Sequence, residues 1–256
     1  MILFEKIDKV GKITLNRPDK YHSFVREMAL ELQNVLNRCN DDKDVRCILI
    51  TATGKAFCAG QDLGEVTDPN GPELKDIVQE HYNPIIRKIR NIEKPVVAAV
   101  NGVAAGAGAS IALVCDIVVA KESATFLQAF SKIGLIPDSA GTFFLPRLIG
   151  MQRAAALMMN AEPISAINAE KMGMIYKMYS DSSFEEESMK LATKLSLMPT
   201  IGLGLTKRLL NASYSNNLDE QLAMEAECQT AAATTYDYNE GVQAFLEKRK
   251  PIFKGK

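Results

Sequence analysis

The sequence has no tryptophan, only two histidines and five cysteines among 256 residues. The cysteines form no CxxC pair and the histidines offer few zinc ligands, so we expect reduced, mostly buried cysteines and no metal site. A net charge of -1 lacks the basic excess typical of nucleic-acid binding, which we therefore exclude. No apolar run approaches the length of a membrane span, and the N-terminus lacks a signal-peptide core. We predict a cytoplasmic protein that does not cross a membrane.

What the sequence contains is an alternation of strand and helix patterns. A hydrophobic content of 47% supports one substantial core. Two short runs within residues 2–16 predict a β-hairpin, and four apolar segments predict further strands: VRCILITA, KPVVAAVNG, CDIVVAKES and GMIYKMYS. Helical patterns separate them, with an interruption at Pro84, and only helices follow Ser180. The sequence thus predicts an α/β core over residues 1–195 and an all-helical region over residues 196–256.

Two stretches join a predicted strand to a predicted helix through small residues. They are GKAFCAGQDLGEV (54–66) and NGVAAGAGASIALVCD (101–116). Small residues let the backbone approach a ligand, and the first amides of a helix have no internal acceptor. Such amides suit an anion, including the oxyanion that forms when a thioester becomes an enolate. Tight packing of helix on strand would also explain either stretch alone, and the glycine spacing does not fit a dinucleotide-binding fingerprint.

Four motifs along the chain carry a family resemblance: FCAGQDL, VNGVAAGAGASIAL, CDIVVA and IGLIPDSAGT. In this order they resemble the crotonase family, also called the enoyl-CoA hydratase/isomerase superfamily, over the whole chain. The resemblance implies a spiral of repeated ββα units, with C-terminal helices that assemble a homotrimer or a dimer of trimers. It implies an acyl-CoA substrate, with CoA entering as part of that substrate and no separate cofactor. Within the family, the motifs most resemble isomerases of phenylacetate degradation that convert a ring epoxide to an oxepin.

A single carboxylate, Asp138, lies in the apolar stretch 133–150. Taken alone, the sequence Pro-Asp-Ser-Ala-Gly indicates a helix start with Asp138 as its N-cap. The resemblance instead places Asp138 where several family isomerases carry their catalytic carboxylate. Cap hydrogen bonds would lower the pKa of Asp138, whereas burial among Phe126, Phe130 and Phe143 would raise it. We expect burial to dominate when substrate expels water, which gives a base suited to neutral pH.

By the same resemblance, the backbone amides of Gln61 and Ala107 hold the thioester oxygen. The two glutamates of the family hydratases are replaced here by Ser110 and Phe130, which disfavours water addition. The resulting expectation is an acyl-CoA isomerase with one base. Three alternatives stay open: a double-bond isomerase of β,γ-unsaturated enoyl-CoA, an enoyl-CoA hydratase, and a non-catalytic acyl-CoA-binding protein.

The resemblance also assigns substrate contacts near the two small-residue stretches, the N-terminal turn and the C-terminal helix. These residues are Arg17, Lys20, Ala59, Asp62, Leu63, Gly106, Phe130, Phe143, Phe245 and Lys248. As bare residues, Arg17 and Lys20 are more typical of solvated turn charges than of phosphate contacts, and Asp62 is typical of a helix cap. We expect His22, which lies beside Tyr21 in a turn and has no evident acidic partner, to lie at the surface or in an interface.

Overall fold

The computed structural model describes all 256 residues. Its strands are β1 (Ile2–Ile7), β2 (Val10–Leu15), β3 (Cys47–Ala52), β4 (Ala56–Cys58), β5 (Val96–Val100), β6 (Val103–Ala105), β7 (Ile117–Lys121), β8 (Thr125–Leu127), β9 (Ile164–Ser165) and β10 (Lys177–Tyr179). Its α-helices are α1 (Arg26–Asp41), α2 (Leu63–Thr67), α3 (Leu74–Asp76), α4 (Asn83–Asn91), α5 (Ala107–Val114), α6 (Gly141–Ile149), α7 (Met151–Asn160), α8 (Ala166–Lys171), α9 (Phe184–Ser196), α10 (Thr200–Ala212), α11 (Leu218–Ala233) and α12 (Tyr236–Leu246). A π-helical segment, Ile77–Tyr82, leads into α4, and short 3-10 turns occupy Pro18–Lys20 and Ala129–Ile133. No helix is long and apolar enough to cross a membrane.

The strands form two sheets that the chain visits alternately. The first sheet has the order β1-β2-β3-β5-β7-β10, and the second has the order β4-β6-β8-β9. From β3 to β8, each strand of the first sheet is followed by a strand of the second, and helices connect the successive pairs. Neighbouring strands run parallel within the series β3-β5-β7 and within the series β4-β6-β8, and parallel neighbours require crossover connections. This arrangement confirms the expected spiral of ββα units, and the antiparallel β1-β2 pair confirms the N-terminal hairpin.

Alternate residues of the central strands face opposite sides of the first sheet. On one side, Ile48 and Ile50 pack into the main hydrophobic core beneath α1, α4 and α5. On the other side, Cys47 and Leu49 contact Phe184 of α9 in a smaller cluster. The central strands are therefore covered on both faces, as expected for near-continuous apolar runs in a parallel sheet.

A buried ionic cluster connects the C-terminal helices to the α/β core. Lys207 of α10 lies 2.8 Å from Asp116 through Nζ and Oδ2, and it also donates to the Ile89 carbonyl at 2.6 Å. Arg90 of α4 pairs with the other oxygen of Asp116 at 3.0 Å. No strand follows β10, so the all-helical character of the C-terminal region is confirmed. The domain boundary at residue 195 stays a prediction.

Pro84 lies two residues after the π-helical segment inside a continuous helical run, where it has no N–H to donate to the preceding turn. The predicted interruption is confirmed, because the chain changes from π-helical to α-helical geometry just before this proline. The π-helical segment displaces Tyr82 from a regular helical position. As a result, the Tyr82 ring lines the cavity described next.

Candidate active site

A cavity of about 530 Å³ opens where the two small-residue stretches meet the segment that carries Asp138. This volume is typical of a site for a small organic group. The lining is mostly apolar and includes seven of the residues singled out from the sequence: Ala59, Gln61, Leu63, Gly106, Ala107, Phe130 and Asp138. The structure therefore brings the predicted base and both predicted oxyanion donors to one cavity.

The first small-residue stretch presents the amide of Gln61. The Phe24 N–H donates to the Gly60 carbonyl at 2.7 Å, and the Asp62 N–H donates to the Phe24 carbonyl at 2.9 Å. In such a parallel bridge, the residue between the two bonds directs its own N–H away from the partner. The Gln61 N–H makes no hydrogen bond within the loops, so it remains a donor for a ligand.

The second stretch presents the amide of Ala107, the first residue of α5. Its N–H has no acceptor inside the helix and lies at the positive end of the helix dipole. Gly60 lets the two stretches approach each other: a Cβ on Gly60, whose φ is +93°, would lie 3.3 Å from the Ala107 nitrogen. Two free amides are thus adjacent at the cavity wall, which is the arrangement that stabilises an oxyanion.

Asp138 contributes the cavity's only carboxylate. Burial raises the pKa of Asp138 above its usual value, against the opposing effect of the hydrogen bond that Ser139 Oγ donates to Oδ1 at 2.9 Å. The N-cap of α6 is Ala140, and no side chain caps that helix. The interpretation of Asp138 as an N-cap is therefore wrong, whereas the dominance of burial once substrate expels water stays a prediction.

The backbone that holds Asp138 is strained. Ser139 and Ala140 have φ values of 51° and 60°, so two consecutive non-glycine residues are left-handed. Such conformations persist only where the surroundings hold them, and they concentrate at functional sites. Here the Gly141 N–H donates to the Asp138 carbonyl at 2.8 Å and closes the turn. The turn fixes the direction of the carboxylate toward the cavity.

Three of the predicted contact residues lie behind the cavity wall or beside it. Arg17 pairs with Asp62 at 2.7 Å, and Asp62 also accepts the Gly64 N–H at 2.9 Å as the N-cap of α2. The predicted capping role of Asp62 is confirmed. Although burial opposes it, the contacts from Arg17 and Gly64 lower the pKa of Asp62. Lys20 is exposed at the end of a 3-10 turn, and none of Arg17, Lys20 and Asp62 lines the cavity.

The other predicted aromatic contacts are also displaced from the cavity. Phe143 packs edge-to-face on Tyr214, with ring centroids 5.4 Å apart, and it does not line the cavity. Phe126 is fully buried in the core, so only Phe130 of the three expected rings lines the same cavity as Asp138. Phe245 is 82% exposed, and it lies with Lys248 on or just after α12, outside the cavity of this chain.

The expectation that His22 lies at the surface or in an interface is wrong. His22 is 1% exposed, accepts the Arg17 N–H at Nδ1 (2.9 Å), and places Nε2 2.7 Å from the Thr53 carbonyl. Because Nδ1 accepts, the proton is on Nε2 and is donated to Thr53. Burial lowers the pKa of His22, which favours this neutral form. His22 therefore ties the N-terminal turn to the end of β3.

Sequence reasoning missed Tyr82, Val66, Ile77 and Leu135, which also line the cavity. The apolar members resemble any other core residue in sequence. Tyr82 is separated from Gln61 by 20 intervening positions, although its hydroxyl donates to Gln61 Oε1 at 2.8 Å. Only the i, i+4 spacing of Gln61 and Glu65 gave a local signal of a side-chain contact.

Comparison with known proteins gives consistent results. The family model described as enoyl-CoA hydratase/isomerase matches residues 5–256. The chain is 47% identical to 1,2-epoxyphenylacetyl-CoA isomerase of Escherichia coli strain K12, over 96% of this chain and 95% of that protein. It is 33% identical to trans-2-decenoyl-[acyl-carrier-protein] isomerase of Streptococcus mutans, over 100% of this chain and 98% of that protein. The crystal structure of enoyl-CoA hydratase from Bacillus anthracis superposes with a TM-score of 0.93, at 33% identity over 100% and 99% of the two chains.

Proposed function

Because the chain belongs to the enoyl-CoA hydratase/isomerase family, we propose that its cavity isomerises an acyl-CoA thioester with Asp138 as the only base. One observation carries the proposal: a single part-buried carboxylate shares the cavity with two unpaired backbone amides. An isomerisation that moves one proton needs one base and one site for the enolate oxygen. Both are in place.

The chemistry follows from the acidity of the carbon next to a thioester. Asp138 removes the α proton, and the electron pair moves onto the thioester oxygen as an enolate. The Gln61 and Ala107 amides bind that oxygen, and each such donor contributes roughly 3–4 kcal/mol of transition-state stabilisation. A carboxyl whose pKa is raised by burial is a better proton acceptor than an exposed one. The protonated Asp138 then returns the same proton to another carbon.

A ring epoxide of phenylacetyl-CoA is the substrate that we propose. Such an epoxide interconverts with its oxepin valence isomer by breaking the C–C bond of the three-membered ring, without gain or loss of atoms. In the oxepin, a ring double bond is β,γ to the thioester. Moving the proton from the α carbon to the γ ring carbon shifts that double bond to the α,β position. The 47% identical relative supports this choice, and Phe130 and Tyr82 supply aromatic walls.

Hydration is disfavoured because it needs a group that activates water. Ser110 is 1% exposed with an unpaired hydroxyl, and it does not line the cavity. Phe130 occupies the other hydratase position and presents no proton acceptor. Double-bond isomerisation of a β,γ-unsaturated aliphatic enoyl-CoA uses the same α-to-γ proton shift, so it is the second candidate. The acyl-carrier-protein isomerase relative supports that candidate.

We further propose that CoA is bound only as part of the substrate and that the chain assembles as a homotrimer or a dimer of trimers. The C-terminal helices expose large apolar side chains that a partner surface would cover: Leu210, Leu218, Leu222, Phe245 and Leu246. Phe245 and Lys248 would then reach the substrate of a neighbouring subunit rather than the cavity of their own.

The test uses ring-epoxidised phenylacetyl-CoA, a β,γ-unsaturated enoyl-CoA and crotonyl-CoA, each with wild type and Asp138→Asn. We expect isomerisation of the epoxide without mass change, and a decrease of about 10²–10⁴-fold in kcat in the variant. Faster turnover of the enoyl-CoA would select the second candidate. Addition of water to crotonyl-CoA that survives in Asp138→Asn would refute the proposal.

A further inference from the structure

The side chain of Gln61 is held from both ends by hydrogen bonds. The Tyr82 hydroxyl donates to Gln61 Oε1 at 2.8 Å, and Gln61 Nε2 donates to Glu65 Oε2 at 2.7 Å. The other oxygen of Glu65 accepts the backbone N–H of Arg26 at 2.8 Å. We call Tyr82, Gln61 and Glu65 the Gln61 relay. It joins the π-helical segment, the oxyanion loop and α2 across one wall of the cavity.

The direction of every proton in the Gln61 relay is determined. A carboxylate has acceptor oxygens and no proton to donate, so Gln61 must present its NH₂ group to Glu65 and its carbonyl to Tyr82. A carbonyl cannot donate, so the only hydroxyl proton of Tyr82 points at Gln61. Burial raises the pKa of Tyr82, so the phenol keeps that proton. The Tyr82 oxygen therefore offers the cavity lone pairs and no proton.

Gln61 is also held through its backbone. Phe24 brackets the Gln61 peptide with two hydrogen bonds, and the Phe24 ring packs edge-to-face on Tyr82 with centroids 5.8 Å apart. Backbone and side chain of Gln61 are thus restrained by the same neighbours. Restraint of this kind matters for an oxyanion donor, because an error of about 1 Å in such a group can cost 10²-fold in rate.

Building on the proposed function, we propose that Tyr82 and Glu65 are positioning residues that act through the Gln61 side chain to aim the Gln61 N–H at the substrate oxygen. Neither residue transfers a proton. Asp138 then both removes the proton and returns it, because Tyr82 has none to give. The position of Tyr82 in the cavity would also suit a general acid. The proposal assigns it a positioning role instead.

The test compares kcat and KM of Tyr82→Phe, Glu65→Ala and their combination, using the thioester that the wild type turns over. Tyr82→Phe and Glu65→Ala should each lower kcat by about 10-fold, a part of the 10²–10³-fold assigned to a complete oxyanion donor, with KM within about 3-fold of wild type. The combined variant should lose little more than the worse single one, because both interrupt one relay. Glu65→Gln keeps one acceptor oxygen, which can serve Gln61 Nε2 or the Arg26 N–H but not both, so it should lose less activity than Glu65→Ala without reaching the wild-type rate.

Glu80→Gln is the matched control. Glu80 pairs with the Arg26 side chain at the exposed surface beside the relay, without contacting Gln61. This variant should match wild type in kcat, KM and pH profile. A rise in KM with unchanged kcat in Tyr82→Phe would refute the proposal in favour of a packing role. Multiplicative losses in the combined variant would show that Tyr82 and Glu65 act independently and would refute the relay. A basic limb of the pH profile that disappears in Tyr82→Phe would show Tyr82 acting as an acid.

A second measurement tests the Gln61 relay without requiring turnover of the substrate. The ¹³C shift of the thioester carbonyl in bound phenylacetyl-CoA reports hydrogen bonding to its oxygen. It should move toward the free value in Tyr82→Phe and remain unchanged in Glu80→Gln. An unchanged shift in Tyr82→Phe would overturn the relay, whereas absence of turnover in wild type with a shifted carbonyl would overturn only the proposed reaction.

Discussion

Replacing Gly141 by alanine is expected to destabilise the protein, although alanine normally stabilises a helix relative to glycine. A Cβ on Gly141 would lie 2.8 Å from Ser110 Oγ, closer than real Cβ atoms approach a neighbour. Ser110 is 1% exposed, so it cannot rotate into solvent. Overpacking of this kind costs about 1–3 kcal/mol, against a gain of about 0.4–1 kcal/mol for removing a glycine. We expect a net loss of roughly 1–2 kcal/mol in the free energy of unfolding.

Gly141→Ala should increase the free energy of unfolding, instead of lowering it, when Ser110 is also replaced by alanine. The nearest remaining neighbour of the new Cβ would be Pro137 Cβ at 3.5 Å, an ordinary contact. Gly141→Ala should then stabilise Ser110→Ala by about 0.4–1 kcal/mol. Ser110→Ala alone should be neutral or stabilising, because its hydroxyl is buried without a hydrogen-bond partner.

Equilibrium unfolding in urea measures this double-mutant cycle. It is carried out on wild type, on both single variants and on the double variant. Variants that lose stability should also lose activity, because the Gly141 N–H donates to the Asp138 carbonyl at 2.8 Å and so closes the turn that carries Asp138. Gly141→Ala should therefore lower kcat, and the double variant should recover it. Equal losses from Gly141→Ala in both backgrounds would refute the proposed clash with Ser110.

Three further predictions concern buried ionisable groups. Burial raises the folded-state pKa of Asp138, so its contribution to stability is fully present below the unfolded pKa and is lost as pH rises through the folded pKa. Asp138→Asn should therefore be more stable than wild type at neutral pH and equally stable in acid; a difference independent of pH in urea titrations would contradict this. Lys207→Met removes one of the two cationic partners of the part-buried Asp116 and should cost less than the about 3–5 kcal/mol typical of a buried charge left unpaired, because Arg90 still pairs with Asp116 at 3.0 Å; thermal unfolding measures this loss. Burial raises the pKa values of Cys58 and Cys115 to about 12, so iodoacetamide should label neither thiol until the protein unfolds, as mass spectrometry can show.

The sequence was informative about the first sheet and uninformative about the second. The strands β3, β5 and β7 are covered on both faces, so each contains a continuous apolar run of four or five residues. The strands β4, β6, β8 and β9 have two or three residues each, too few to show a period. Their pairing depends on the spiral connection between sheets, which is a property of the whole chain.

In the candidate site, too, some residues could be predicted from local sequence and others could not. Asp138, Gln61 and Ala107 lie in motifs whose local chemistry is readable, and the structure places all three around one cavity. Tyr82 was missed because its contact with Gln61 depends on the π-helical segment, whose composition is that of an ordinary helix. Phe143 was misplaced for a related reason, since the start of α6 turns its ring toward Tyr214.

The most direct test of the proposed chemistry is exchange of the α hydrogens of phenylacetyl-CoA in D₂O, followed by mass spectrometry. This thioester has an acidic α carbon and no double bond or epoxide to rearrange, so exchange reports the base and the oxyanion site alone. We expect wild type to catalyse the exchange and Asp138→Asn to slow it by at least about 10²-fold while still binding the thioester. Exchange at the wild-type rate in Asp138→Asn would show that another group is the base.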